Sequence, residues 1–102
     1  MDTRTGKEDL ANFLDRKGAI GILLVIDEKE GTIHSNFKQQ LHISRATTSN
    51  LLREAESLDL VELSRHADDH ANAKRYVLTE MGRVLRVALE SMGLSEKYQQ
   101  YV

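Results

Sequence analysis

The chain has no cysteine, which excludes a disulfide framework, a thiolate zinc site and a thiol-based sensor. It has no long hydrophobic run. The longest, AIGILLVI from Ala19 to Ile26, is far too short to span a bilayer. The opening MDTRTGKEDL is polar and is not a signal peptide, so a soluble, cytoplasmic protein is expected. There is no phosphate-cradling glycine loop, no His-Glu-x-x-His zinc motif, no repeat and no low-complexity segment. Nor is there an excess of positive charge. Fourteen Lys and Arg against sixteen Asp and Glu leave a net charge of −2, so any attraction for a polyanion must be local. At 102 residues the chain fits one domain spanning residues 1–102. Such a domain buries roughly 60–65% of the surface that its unfolded chain exposes, enough for one modest core.

What is present is organised around the stretch Ser35 to Val61 (SNFKQQLHISRATTSNLLREAESLDLV). It reads as two helices with a tight turn between them. Ser35 is predicted to cap a short helix with apolar positions Phe37 and Leu41, and Ser44 a longer one running over 44–58. Only His42 and Ile43 lie between. A junction that short needs a residue with positive φ, and histidine is among the side chains that tolerate it. In the second helix Thr48, Leu51, Leu52, Ala55 and Leu58 fall on one face and pack inward. The opposite face carries Ala46, Ser49, Asn50 and Arg53, with Arg45 and Thr47 on its edges. Arg can reach guanine, Asn adenine, and a Thr methyl thymine, while the small residues let the helix approach a groove floor. From Gly31 through Arg53 there is no Asp or Glu, and Glu54 and Glu56 restore the acidity afterwards. An ordinary amphipathic helix pair with a polar outer face is the plain alternative.

Residues 1–6 are expected as a loose tail and Lys7 to Asp15 as a helix. Ala19 to Ile26 is apolar nearly all round, a buried helix or a buried strand. A helix is favoured because Asp27 to Gly31 looks like a charged C-terminal turn ending in glycine. Thr32 to His34 is a short extended piece. Leu60 to Ser64 and Lys74 to Leu78 read as the strands of a hairpin, joined by the polar loop HADDHANA. Thr79 and Glu80 open a last helix that ends near Gly93. Its Val84, Leu85, Val87, Ala88, Leu89 and Met92 make an apolar surface broader than one core needs. Tyr98 and Tyr101 follow at i, i+3 spacing.

His66-Ala-Asp-Asp-His70 has zinc- or nickel-type ligands, but four fixed ligands are the rule for structural sites and a polar hairpin tip is a poor place for them. A solvated loop is expected there, with a milder option that His66 and His70 gain charge below about pH 6.5 and strengthen contact with DNA. Asp27, Glu28 and Glu30 have no nucleophile or base beside them and read as a solvated turn. No metal, no cofactor, no small-molecule ligand and no enzymatic site is expected.

Three motifs carry a family resemblance. ISRATTSNLLREAESLDLVE resembles the recognition-helix signature of the MarR, HxlR and PadR groups of prokaryotic regulators. RYVLTEMGRVL resembles their second wing strand with its Leu-Thr-x-x-Gly, and DRKGAIGILLVI the first buried helix of the HxlR type. The resemblance covers nearly all of residues 10–92. It implies a winged helix-turn-helix, mostly α with a small β-hairpin (α+β), in the order helix, helix, strand, helix, helix, hairpin, helix. It also implies a homodimer bound to the two half-sites of a double-stranded DNA operator. Two departures stand out. Asp59 occupies a position that is often glycine, and Asp68 and Asp69 occupy a wing tip that is often basic.

From residues and resemblance together, Ser35, Lys38, Gln39, Ser44, Arg45, Ala46, Thr47, Ser49, Asn50 and Arg53 are expected at the DNA, with Arg65, Lys74 and Arg75 holding backbone from the wing, 60–78. Residues 79–102 are expected to dimerise, with Leu85, Leu89 and Met92 inward or shared between core and dimer interface and Tyr98 and Tyr101 at the seam. The alternatives are a monomer whose tail folds back, a winged-helix protein–protein adaptor, and an architectural DNA-binding protein.

Overall fold

Most of the apolar run, Ala19 to Val25, is a helix, and the other described elements pack around it. In the computed structural model, which describes residues 6–64 and 75–94, the elements follow in the order α1 (Gly6–Leu14), α2 (Ala19–Val25), β1 (Thr32–Ile33), α3 (His34–Leu41), α4 (Arg45–Ser57), β2 (Val61–Ser64), β3 (Arg75–Leu78) and α5 (Glu80–Ser91). The fold is a winged-helix α+β arrangement. Ala19, Gly21, Ile22, Leu23 and Leu24 are all buried, which explains why this helix lacks a polar face. Phe13 of α1, Phe37 of α3, Leu51 and Leu52 of α4, and Leu60, Val61 and Leu89 complete the core. Gly18 starts α2 in the left-handed region. A Cβ there would stand 3.2 Å from the Leu51 side chain, so the break and the close packing are one feature. Among the described residues no helix is long and apolar enough to cross a membrane.

Three local expectations need correction. The turn after α2 does not belong to that helix, because Ile26 is already extended. Asp27 instead closes its own turn, its carboxylate accepting from the amides of Lys29 (2.8 Å) and Glu30 (2.9 Å). Those two amides hold the Asp27 carboxyl below the usual carboxylate range. His34 is not extended but is the first residue of α3, and Ile33 rather than Ser35 occupies the cap position, with no side-chain cap bond. The cause is β1: Ile33 is held extended by pairing with Arg75, so the chain enters the helix one residue later, ahead of Ser35.

That pairing also enlarges the hairpin. The sheet has the order β1-β3-β2, all antiparallel. Thr32 lies opposite Tyr76, while Val61 through Ser64 run opposite Leu78 through Arg75. The wing is therefore tied by its central strand to the segment that leads into α3.

The root of the wing is built on Asp59. This residue adopts φ 62°, the left-handed conformation that ends a helix without glycine, which aspartate tolerates better than most residues. The Leu60 amide donates to the Ala55 carbonyl (2.9 Å) and the Asp59 amide to the Glu56 carbonyl (3.0 Å), the paired bonds of a Schellman ending. The same two residues then receive α5. The Leu60 carbonyl accepts from the Thr79 amide. Thr79 Oγ1 donates to the Asp59 carbonyl and accepts from the Gly82 amide (3.0 Å) as the helix cap. A Cβ on Gly82 would lie 2.0 Å from the Leu60 carbonyl oxygen. That close approach explains the Leu78-Thr79-x-x-Gly82 spacing: threonine makes the bonds and glycine leaves the room. Gly82→Ala should therefore cost about 3 kcal/mol or prevent folding, because backbone atoms must move apart. Urea unfolding followed by circular dichroism measures it, and a wild-type midpoint would show that the junction tolerates the methyl.

Candidate nucleic-acid interface

The helix-turn-helix is set by two residues. His42 sits at φ 55°, ψ 45°, and its amide donates to the Lys38 carbonyl (2.9 Å) to end α3. Ser44 is extended and caps α4: its Oγ accepts from the Thr47 amide (3.0 Å) and donates to Thr47 Oγ1 (2.9 Å). Its carbonyl also takes the Thr48 hydroxyl at 2.8 Å, on the buried face. Thr48, Leu51, Leu52 and Ala55 are buried and Leu58 is half-buried, so the inward face is as the spacing predicts.

The outward face of α4 presents Arg45, Ala46, Asn50 and Arg53, all exposed, with Thr47 and Ser49 half-buried at its edges. Ser44 and Thr47 already use their hydroxyls on each other. Beside this face runs an open groove of about 650 Å³. From α3 it is lined by His34, Ser35 and Lys38; from α4 by Arg45, Ser49, Arg53 and Glu56; and from the strands by Ile33, Leu63 and Tyr76. The structure thus gathers Ser35, Lys38, Arg45, Ser49 and Arg53 into one concavity. Gln39, Ala46 and Asn50 are exposed outside its lining. Arg75 is half-buried in the central strand. Arg65 and Lys74 lie outside the described residues, as do His66, Asp68, Asp69 and His70.

Five groove residues escape the sequence reading: Ile33, His34, Glu56, Leu63 and Tyr76. His34 was assigned to the extended piece, although it falls inside the acid-free stretch that marks this surface. Its Nε2 lies 3.0 Å from Ser49 Oγ, joining α3 to α4. Burial, followed by the positive charges of Arg45 and Lys38, holds its imidazole below the ordinary histidine range. Tyr76 reaches the groove from β3 and meets the Phe37 ring edge-on at 6.4 Å. Burial, and then the Glu56 carboxylate, push its hydroxyl up. Leu63 comes from β2. Nothing local in the sequence marks Leu63 or Tyr76, because their place depends on pairings made far along the chain.

The acids after Arg53 part company. Glu54 turns away and pairs with Arg16 at 3.2 Å, whereas Glu56 joins the groove lining. One carboxylate thus faces four basic or potentially basic side chains.

Of the apolar residues expected inward or shared on the last helix, two are inward. Leu89 is only 3% exposed and belongs to the protomer's own core, and Leu85 packs half-buried against that core. A leucine enclosed in this way has no surface to offer a second subunit. The large apolar side chains left open on α5 are Met81, Val84, Val87 and Met92, each 57–67% exposed. Tyr98 and Tyr101 lie outside the described residues.

Ser44→Ala should cost about 1 kcal/mol of stability, because the Thr47 amide loses its acceptor, while Ser44→Gly should cost only a few tenths. Urea unfolding of both variants checks this. Equal midpoints for Ser44→Ala and the wild type would remove the cap from the account of how α4 is held.

No family model and no curated protein sequence matches the chain. Solved structures do. The S. aureus MepR–DNA complex superposes with a TM-score of 0.71 at 23% identity, over 92% of this chain and 77% of that one. A MepR variant bound to an oligodeoxyribonucleotide gives 0.69 at 25% identity, over 93% and 69%. A possible HxlR family transcriptional factor from Thermoplasma volcanium gives 0.74 at 18% identity, over 100% and 88%. The chain has the winged-helix fold of these regulators and resembles the MarR and HxlR types in structure.

Proposed function

We propose that the chain is a sequence-specific transcriptional regulator that binds double-stranded DNA as a homodimer. The observation that carries this is the outward face of α4. A capped helix presents Arg45, Ala46, Asn50 and Arg53 to solvent beside a groove lined by Lys38 and Ser49. In helix-turn-helix docking such a helix lies in the major groove while the helix before it crosses the backbone. Arg53 and Asn50 then read base edges. Arg45, Thr47 and Ser49 line the groove wall. Lys38, Gln39 and Ser35 face phosphate, and Ser44 holds the helix start beside it. Arg65, Lys74 and Arg75 hold backbone from the wing. The structural likeness to MepR, solved with DNA, supports this reading. The transcriptional regulators among the similar structures support a regulator rather than an enzyme, working in the cytoplasm.

A two-fold protein matches a two-half-site operator. The face for the second copy is the exposed apolar side of α5, Met81, Val84, Val87 and Met92, a surface of the kind that marks association. Tyr98 and Tyr101, outside the described residues, are proposed to share in the seam.

Fluorescence anisotropy against the DNA upstream of the chain's own gene and against a scrambled duplex, across a salt series, tests the reading. Preference for the first is expected, with a log–log salt slope of about −4 to −8 for a dimer neutralising roughly 5–9 phosphates. Arg53→Ala and Asn50→Ala should each cost about 1–3 kcal/mol of specific binding, and unchanged affinity in both would remove them as base readers. No binding at low salt would favour a protein–protein adaptor instead. Val84→Glu with Val87→Glu should yield monomers in sedimentation velocity and weaken operator binding, whereas an undisturbed dimer would place the seam elsewhere.

A further inference from the structure

The reading above uses the arginines and the lysine of the groove and leaves His34 without a role. His34 opens α3, half-buried, with Nε2 3.0 Å from Ser49 Oγ. It stands where α3, α4 and the sheet meet, at the edge of the surface presented to DNA. We propose that His34 is a phosphate ligand of this interface, taking up one proton from solvent as a backbone phosphate enters the groove.

The proposal rests on the DNA-binding reading and on the surroundings of the ring. From its own helix His34 faces Lys38; from α4 it faces Arg45 and, further along the groove, Arg53 and Glu56; from β3, Tyr76. Thr32 and Ile33 of β1 and Leu63 of β2 bring no charge, and Arg75 lies opposite Ile33. In the free protein, partial burial and two neighbouring cations favour the neutral imidazole, and so does the positive end of the α3 dipole. Glu56 acts at the Tyr76 end of the groove, where it holds the phenol proton on. A phosphate seated among Lys38, Arg45 and His34 reverses the local field. The imidazolium then has two N–H donors, so it can keep a contact with Ser49 and also donate to a phosphate oxygen. A neutral ring makes both contacts only as the Nδ1–H tautomer, accepting the Ser49 hydroxyl at Nε2, so it is the phosphate charge rather than the number of donors that draws the proton. In this docking mode the helix before the recognition helix crosses the backbone, which makes phosphate rather than a base edge the expected neighbour.

The test is an NMR titration of the His34 imidazole in the free protein and with a mixed-sequence duplex at low salt, alongside anisotropy from pH 6 to 8. The ring should titrate below its ordinary range when free and above it when DNA-bound. Affinity should therefore rise as pH falls through that interval, by up to about tenfold per pH unit per protomer. His34→Gln should lose this slope, while His66→Gln with His70→Gln should retain it. A ring that titrates at the same pH free and bound, or a His34→Gln slope equal to the wild type, would overturn the proposal. Tight binding with a flat pH profile would overturn it while leaving the DNA-binding reading intact. Absence of binding to any duplex at any pH would overturn both.

Discussion

The backbone bonds at Asp59 and Leu60 hold the recognition helix, the wing and the last helix in one relationship. Asp59 ends α4 by taking a left-handed conformation. Leu60 returns its amide to Ala55 and gives its carbonyl to Thr79, and Thr79 caps α5 while bonding Asp59. Two residues thus end one helix, begin a strand and receive the start of another helix. Gly82, with no room for a methyl against the Leu60 carbonyl, lets α5 lie down on this junction. Each bond is worth about 1 kcal/mol net. The junction's larger effect is geometric, because α4 cannot turn about its axis without disturbing the strand that leads to the wing. The faces of α4 toward the core and toward solvent are fixed by that restraint together with the Ser44 cap at its other end.

A net charge of −2 and a positively lined groove are compatible because charge is sorted by position. The stretch Gly31 to Arg53 contains no acid and folds so that its exposed side is the groove and the outer face of α4. Glu54, next in sequence, is drawn to the other side of the helix by Arg16. Asp27 and Glu28 lie at the end of α2, where Asp27 is occupied by backbone amides and Glu28 stands 3.8 Å from Arg86. Glu56 is the exception: it lines the groove and, after burial, helps to push the Tyr76 hydroxyl up. A field of this kind attracts at short range and is screened beyond about 10 Å at ordinary salt. It therefore favours a particular docked arrangement more than general adhesion to DNA.

Local signals in the sequence were reliable and distant ones were silent. His42 as the turn, Ser44 as a cap, Thr79 at the opening of the last helix, and the inward face of α4 each depend on residues within four positions of one another, and each stands as the pattern predicts. The buried helix at 19–25 was legible because a helix surrounded on all sides needs no polar stripe. Ser35 as a cap failed because the decision was made elsewhere, by Ile33 pairing with Arg75 more than forty positions later. The same pairing brought Tyr76 to the groove and placed His34 at a helix start, so the residue joining α3 to α4 was missed. For Leu85 and Leu89 the sequence left inward and shared both open, for a related reason. An apolar helix surface shows that something covers it, and only the packing shows whether that is the same chain or another.

On α5 the two coverings are distinct. Its inner side holds Gly82 against Leu60, Leu89 in the core and Arg86 against the end of α2, where the guanidinium donates to the Ile26 carbonyl and pairs with Glu90 at 3.3 Å. A cation at that helix's C-terminus is favourably placed against the dipole. Its outer side leaves Met81, Val84, Val87 and Met92 in solvent. Between these faces runs only one helix diameter, and the N-terminal end of α5 is bonded to Asp59 and Leu60, the residues that end α4. The second copy proposed for the outer face would thus be joined to α4 through backbone hydrogen bonds and a close glycine contact rather than through a loop. Rigid attachment of this kind is what a protein needs if two recognition helices are to meet successive turns of one DNA duplex at a fixed spacing.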